Sequence, residues 1–113
     1  MSTFRELYPL VLVDISLFSL DQRRLKVLLV QRGCEPEVGG WALPGGILKP
    51  ELDTSLDAAA LRVLREKVSV NIPHLEQVCT FSGPDRDPRG WSIANLFFAL
   101  LPKDQINALV RNK

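Results

Sequence analysis

The sequence predicts a mixed α/β or α+β domain. Two apolar segments of strand length, one amphipathic helix and two further extended segments follow one another along the chain. The length of 113 residues suits a single domain, and an apolar content of 46% is enough to bury a core. The net charge of +1 is too small to indicate that these residues bind nucleic acid or a membrane surface.

The first half of the chain predicts a β-hairpin. Residues 10–20 are rich in Leu, Val, Ile and Phe, residues 25–31 form a second apolar run, and the polar residues between them indicate a turn. Residues 32–40 contain three glycines and predict a loop. The Pro-Gly-Gly sequence at residues 44–46 predicts a sharp backbone turn, since glycine tolerates conformations that other residues avoid.

The second half predicts a helix and two more strands. Thr54 and Asp57 fit the [ST]-x-x-[DE] pattern that caps a helix N-terminus, and strong helix formers continue to about Lys67. Residues 75–81 and 91–101 predict extended segments joined by a turn-rich loop. The helical periodicity assigns one group of side chains to the core, namely Ala60, Leu61, Leu64 and Val68, and a different face to Leu56, Ala59, Val63, Glu66 and Lys67.

Residues 41–70 resemble a Nudix box. WALPGG at 41–46 matches the glycine turn of that motif, and DAAALRVLREKVSV at 57–70 matches its helix. In the family, glutamates of an Arg-Glu-x-x-Glu-Glu helix share a face and hold Mg²⁺ against a pyrophosphate, and the metal activates a water. The resemblance implies one Nudix-like domain over residues 1–113. The expected fold is an α/β/α sandwich with a mixed sheet that lacks the final strand and helix and is therefore incomplete at its C-terminus.

Aligned on Arg62, this box has lost most of its acids. Val63 stands in the place of the first glutamate and Lys67 in the place of the last, whereas Glu66 is retained. Glu51 keeps its spacing from the glycine turn but not from the helix. A lysine beside a cation adds repulsion of roughly 1 kcal/mol. We therefore expect neither a catalytic nor a metal-binding residue, and Glu66 with Glu51 would serve if the domain were active with Mg²⁺. The resemblance implies structural roles in the motif for Gly46 and Arg62.

The flanking segments resemble a narrower group. Residues 8–46 and 83–101 are similar to the N-terminal domain of Nudix-related transcriptional regulators. In that group a Nudix-like domain binds ADP-ribose or related products of NAD metabolism, a winged-helix domain binds DNA, and the protein is a dimer. The resemblance implies a nucleotide ligand, a homodimer, and contact with DNA only through a domain beyond Lys113. No signal peptide or membrane span is evident, so we expect a cytoplasmic protein.

Five residues are candidate ligand contacts. Arg32 follows the second predicted strand, and Arg86 and Arg89 lie in a loop that resembles the ligand-side loop of the family. A guanidinium can donate two hydrogen bonds to a phosphate, although exposed arginines are often only solvated. Gly45 and Gly46 would let a phosphate approach the backbone, in addition to their role in the turn.

Three functions remain open from the sequence. The first is a ligand-sensing Nudix domain without catalysis, which the side chains at positions 63 and 67 favour. The second is a Mg²⁺-dependent hydrolase that cleaves a nucleoside diphosphate linked to another group, using Glu66 with Glu51, Asp53 or Asp57. The third is a structural module without a ligand. Trp41 is predicted to pack into the core, with stacking on a base as the alternative.

Overall fold

The computed structural model describes residues 8–31, 39–68 and 75–101. In these described residues, one helix packs on a mixed sheet, and the predicted fold class is confirmed. The described part of the chain contains no helix with the length and apolar character that a membrane crossing requires. In chain order, the elements are β1 (Leu10–Asp21), β2 (Arg24–Val27), β3 (Val30–Gln31), β4 (Trp41–Ala42), β5 (Gly45–Ile47), α1 (Leu56–Val68), β6 (Glu76–Gly83) and β7 (Ser92–Leu100).

Strand β1 is the centre of the sheet. One of its edges pairs in parallel with β7, and β7 pairs in antiparallel with β6. Its other edge is shared by two antiparallel strands, because residues 12–14 pair with β5 and residues 18–21 pair with β2. Strands β3 and β4 form a separate two-stranded sheet. The predicted strands at 75–81 and 91–101 correspond to β6 and β7.

The main core lies between α1 and one face of the sheet. Side chains alternate across a strand, so Val13, Ile15 and Leu17 of β1 share the face toward the helix, and all three are fully buried. Three of the four residues predicted for the core face of α1 are buried, whereas Leu61 is only partly buried against the core, and two further residues belong to the buried set. The buried apolar side chains of the helix are Ala59, Ala60, Val63, Leu64 and Val68.

The opposite sheet face is less completely covered. A small cluster of Leu10, Leu12 and Ala94 is buried there, with Ile47 packed against it. Farther out, the strand register assigns four exposed apolar residues to this same face. We call them the open sheet face: Leu20, Leu25, Phe81 and Leu100, each more than half exposed.

Helix α1 begins one residue later than the capping pattern suggests. The Ser55 hydroxyl accepts a hydrogen bond from the backbone N–H of Ala58 at 3.0 Å, and the Ser55 carbonyl accepts one from Ala59 at 3.0 Å. Ser55 is therefore the N-cap, and the prediction of a capped start was right in kind. Thr54, the residue favoured by the sequence pattern, precedes it.

The second predicted strand is not continuous. Residues 25–31 divide into the end of β2 and the short β3. The N–H of Leu28 still donates to the Leu17 carbonyl at 2.9 Å, but Val30 already pairs with Ala42 of β4. The reason lies at the edge of β1, where the next donor along, the N–H of Ile15, bonds to the carbonyl of Pro44. The chain must leave this edge because the segment of β5 occupies it.

The predicted turn at residues 44–46 is right only for Pro44, where the backbone bends between β4 and β5. Gly45 and Gly46 are extended in β5, and neither has a positive φ. They are needed for close packing instead. A Cβ at Gly46 would lie 2.9 Å from Cγ2 of Val63, and a Cβ at Gly45 would collide with the carboxylate of Asp14. Glycine thus lets β5 approach both the helix and β1.

The contact between Gly46 and Val63 makes a testable prediction. The substitution Gly46→Ala should destabilise the protein by about 1–3 kcal/mol, because the new methyl group overpacks a filled core. In urea unfolding, the double variant with Val63→Ala should lose less than the sum of the two single variants, since the smaller side chain makes room. Strictly additive losses would show that the two positions do not press on each other.

Candidate functional site

The side chain of Arg62 connects several parts of the segment that resembles a Nudix box. It is buried, with 8% of its surface exposed. Its Nε donates to Oδ1 of Asp53 at 2.7 Å, and its Nη2 donates to Oδ2 of the same carboxylate at 2.9 Å. Nη2 also donates to the backbone carbonyl of Ile47 at 3.0 Å. The guanidinium therefore joins α1 to the loop before it and to the end of β5.

Asp53 closes the loop between β5 and α1. Its Oδ2 accepts a hydrogen bond from the N–H of Lys49 at 2.8 Å, and its own N–H donates to the Lys49 carbonyl at 2.8 Å. The hydrogen bond from Arg62 holds the pKa of Asp53 below its usual value, although burial acts in the opposite direction. The same pairing raises the pKa of Arg62. Both groups are charged at neutral pH, so the loop is pinned to the helix by an ion pair.

Glu66, the one acid retained in the helix motif, is engaged by the same arginine. Its Oε1 accepts a hydrogen bond from Nη1 of Arg62 at 2.9 Å, and its side chain is half exposed. Val63 was expected on the same helix face as Glu66, away from the core. It is instead buried in the core against Gly46. Lys67 is exposed. At positions 66 and 67 the helix thus presents one paired carboxylate and one ammonium toward solvent.

Of the other carboxylates named for an active hydrolase, Glu51 and Asp53 lie in the loop before α1 and Asp57 lies in its first turn. Glu51 is exposed. Within residues 8–31, 39–68 and 75–101, no three side chains of the types His, Cys, Asp and Glu are grouped closely enough to hold a metal ion. Glu51 and Glu66 are therefore not members of such a group among the described residues.

The loop from residue 84 to residue 90 contains the second group of interacting charges. Nη1 of Arg86 donates to the hydroxyl of Ser92 at 2.8 Å, and Ser92 is fully buried at the start of β7. Arg89 pairs with Asp87, with Nε at 3.0 Å from Oδ1 and Nη2 at 2.8 Å from Oδ2. Both arginines are thus held by specific partners within the loop and its adjoining strand.

Asp87 organises this loop through its backbone as well. Its Oδ1 accepts a hydrogen bond from the N–H of Arg89 at 2.9 Å, and its carbonyl accepts one from Gly90 at 3.0 Å. The hydrogen bond from Arg89 lowers the pKa of Asp87 to about 2, against the effect of burial, and the charge of Arg86 lowers it further. The carboxylate is therefore ionised at any pH near neutrality.

The loop that contains Asp53 and the loop that contains Arg86 and Arg89 lie at the same end of the sheet. The N–H of Leu10, at the start of β1, donates to the Trp91 carbonyl at 2.9 Å, next to the arginine loop. The N–H of Leu48, just after β5, donates to the Val11 carbonyl at 2.9 Å. The fold therefore brings the loop of Arg86 and Arg89 to the end of the sheet where the loop before α1 begins.

Four further candidate residues have different outcomes. Arg32 lies outside the described residues. Trp41 is 68% exposed in β4, so the prediction that it packs into the core was wrong. Gly45 and Gly46 lie within β5, where packing already requires glycine, and their contact with a phosphate stays a prediction.

The hydrogen bonds by which Asp53 and Asp87 fix their loops were not predicted from the sequence. Asp53 was expected at most as a metal ligand in an active hydrolase, and Asp87 was given no role. The Asp-Pro-Arg sequence at 87–89 was a usable signal, because aspartate side chains often bond to the backbone two residues later. The pairing of Asp53 with Arg62 has no comparable local signal, since one is in a loop and the other in a helix.

Comparison with known proteins identifies a family. The model of the NUDIX domain family matches residues 11–112. The ADPR responsive transcriptional repressor NtrR of Acinetobacter baylyi is 48% identical over 93 residues, which are 82% of this chain and 37% of that protein. An ADP-ribose pyrophosphatase of Methanocaldococcus jannaschii is 35% identical over 92 residues, which are 80% of this chain and 50% of that protein.

A solved structure is similar in both fold and sequence. The NUDIX domain of Shewanella oneidensis NrtR, crystallised with ADP-ribose, superposes with a TM-score of 0.79 at 44% identity. The match covers 84% of this chain and 62% of that one. The chain thus spans half or less of the length of the curated relatives and under two thirds of this solved domain.

The Asp53–Arg62 pair leads to a prediction with a pH dependence. The substitution Asp53→Asn should lower the melting temperature at pH 7 by roughly 5–10 °C, because a buried guanidinium loses its ionic partner. Since the pKa of Asp53 is lower in the folded state, its contribution is complete above the unfolded value of about 4 and is lost as the pH falls through the folded value.

Thermal melts from pH 7 to pH 3 test this directly. The difference between the wild type and Asp53→Asn should stay constant down to about pH 5 and shrink at lower pH. Glu51→Gln, which removes an exposed carboxylate from the same loop, serves as the matched control and should have little effect. Equal effects of the two substitutions at pH 7 would contradict a special role of the pair.

Proposed function

The chain belongs to the Nudix family, and we propose that it is the ligand-sensing part of a transcriptional regulator, binding ADP-ribose or a related nucleoside diphosphate without hydrolysing it. One observation carries the proposal above all others. Glu66, the acid retained by the helix motif, is bound to Arg62, and the position of the first lost acid, Val63, is buried in the core. The Nudix box then has a structural role, in which Arg62 holds the helix to the loop before it and to β5.

The charges of the domain support an anionic ligand. Arg86 and Arg89 are held at the same end of the sheet as the loop that follows β5. A diphosphate presents several oxygens that accept charge-assisted hydrogen bonds, and guanidinium groups match them well. We propose Arg86, Arg89 and Arg32 as phosphate contacts, with Gly45 and Gly46 allowing close approach of the ligand to β5. The solved NUDIX domain with ADP-ribose supports this choice of ligand.

The wider assignment follows from the relatives. The similarity of the chain to a transcriptional repressor supports a regulatory role, and the matched residues make up 37% of that protein's length. We propose that residues 1–113 belong to a single sensing domain, that DNA is bound only through a separate domain beyond Lys113, and that the protein acts in the cytoplasm.

A hydrolase is the alternative. The identity of 35% with an ADP-ribose pyrophosphatase favours it. Such an enzyme would cleave a nucleoside diphosphate linked to another moiety with Mg²⁺, and Glu66 and Glu51 are the acids it would use. Glu66 would then have to exchange its hydrogen bond with Arg62 for a metal.

Calorimetric titration with ADP-ribose separates the two functions. We expect saturable binding of equal affinity with Mg²⁺ and with a chelator, and no AMP by chromatography of the mixture. Ligand at about 100 times Kd should stabilise the fold by about 2.7 kcal/mol. Mg²⁺-dependent release of AMP and ribose phosphate that disappears in Glu66→Gln would instead establish the hydrolase. The absence of both binding and turnover would leave a structural module.

The open sheet face supports a further part of the proposal. Leu20 and Leu25 are paired across β1 and β2, and Leu100 lies on the same face. Exposed apolar residues grouped on one sheet face are typical of an association surface. We propose that a second copy of the chain covers this face in a symmetric homodimer, in which the same residues meet across the axis.

Light scattering during gel filtration tests the dimer. The wild type should have twice the mass of one chain, and Leu25→Lys should shift it toward the monomer, because a lysine would be desolvated at the interface. Leu52→Lys alters an equally exposed leucine in the loop before α1 and should leave the dimer intact. A monomeric wild type at tens of micromolar, or equal dissociation of both variants, would rule out this interface.

A further inference from the structure

We propose that Asp87 is a positioning residue for ligand binding, acting by fixing the guanidinium of Arg89 before the ligand arrives. The inference rests on the proposed function, in which Arg89 contacts a phosphate of a nucleoside diphosphate. Asp87 itself carries the wrong charge to contact that ligand. Its contribution to affinity would pass entirely through the arginine.

The geometry of the pair supports a positioning role. The two oxygens of Asp87 bind Nε and Nη2 of Arg89 at 3.0 and 2.8 Å, which fixes the plane of the guanidinium. A third bond, from the backbone N–H of Arg89 to Oδ1, ties the carboxylate to the start of the same side chain. An arginine ordered in advance loses less conformational entropy when an anion binds than an arginine that is free to rotate.

Burial distinguishes the two partners. The side chain of Asp87 is 10% exposed, whereas that of Arg89 is 27% exposed. The carboxylate therefore lies on the inner side of the pair and the guanidinium nearer the solvent, where a ligand would arrive. Burying such an ion pair contributes little net stability, because desolvation offsets the attraction. Orientation of the arginine is a better account of why an acid is held here.

The loop that contains the pair is itself anchored. Arg86 binds the buried hydroxyl of Ser92, and the carbonyl of Asp87 accepts a hydrogen bond from Gly90. Gly90 has a φ of +126°, a conformation that other residues rarely adopt. The backbone on both sides of Asp87 is therefore constrained, so the carboxylate has a fixed base from which to hold Arg89.

Calorimetry with ADP-ribose on the full chain tests the proposal through four variants. Asp87→Asn should weaken binding about tenfold, and Asp85→Asn, which removes an exposed carboxylate two residues away, should change it less than twofold. Arg89→Ala should weaken binding at least as much as Asp87→Asn. The double variant Asp87→Asn with Arg89→Ala should bind no more weakly than Arg89→Ala alone, because the aspartate acts only through the arginine.

A purely structural role gives a different pattern. The losses in the double variant would then add, or Asp87→Asn would lower the melting temperature without changing the affinity, and either result overturns the proposal. Tighter binding by Asp87→Asn would also overturn it, since the carboxylate would then compete with the phosphate for Arg89. If the wild type does not bind ADP-ribose, the proposed function fails and this inference fails with it.

A second variant covers the case in which Asp87→Asn does not fold. Asp87→Glu keeps the charge but moves the carboxylate outward by one methylene group, so the side-on pairing with Arg89 is lost. It should fold and still bind ADP-ribose several times more weakly than the wild type. Wild-type affinity in a folded Asp87→Glu variant would overturn the positioning role.

Discussion

The buried guanidinium of Arg62 fixes the relation of three consecutive chain segments, which are the end of β5, the loop that follows it and α1. It bonds to Asp53 in the loop, to the carbonyl of Ile47 at the end of β5 and to Glu66 one turn farther along the helix. A charge removed from water has to be paired. If one of these segments shifted, the guanidinium or one of its acceptors would therefore lose a hydrogen-bond partner. The shape of the loop between β5 and α1 depends on this single side chain.

The same constraint accounts for the chemistry of the box. A glutamate that completes an internal ion pair is less available to a metal, and Val63 offers no carboxylate. Position 63 is moreover a packing position, because its methyl groups lie against Gly46 of β5. A carboxylate introduced there would enter the core without a partner, at a considerable desolvation cost. The apolar residue at position 63 and the close packing of β5 on α1 therefore depend on each other.

The sequence could predict the elements whose pattern is local. Strand β1, strand β7 and helix α1 are long and strongly apolar or periodic, and all three lie close to their predicted positions. The division of the second strand could not be predicted in this way, because it follows from competition between two segments for one edge of β1.

The candidate site could likewise be predicted only in part. The sequence indicated the glycine pair and the arginines as residue types, but not that Gly45 and Gly46 would be extended, nor that Asp53 would be the partner of Arg62. These features depend on contacts between separate elements. The roles of Arg86 and Arg89 in binding stay predictions.

The parallel pairing of β1 with β7 has a consequence for how the molecule forms. Leu10 lies beside Ser92 and Phe18 beside Leu100, so the two central strands come from opposite ends of the described chain. Contacts between residues so distant in sequence are slow to form, because a long loop must close first. During synthesis, β1 emerges before β7, and its apolar side chains stay uncovered until β7 follows. Throughout that interval the nascent chain is exposed to aggregation, and a chaperone that binds extended apolar segments would meet β1 before β7.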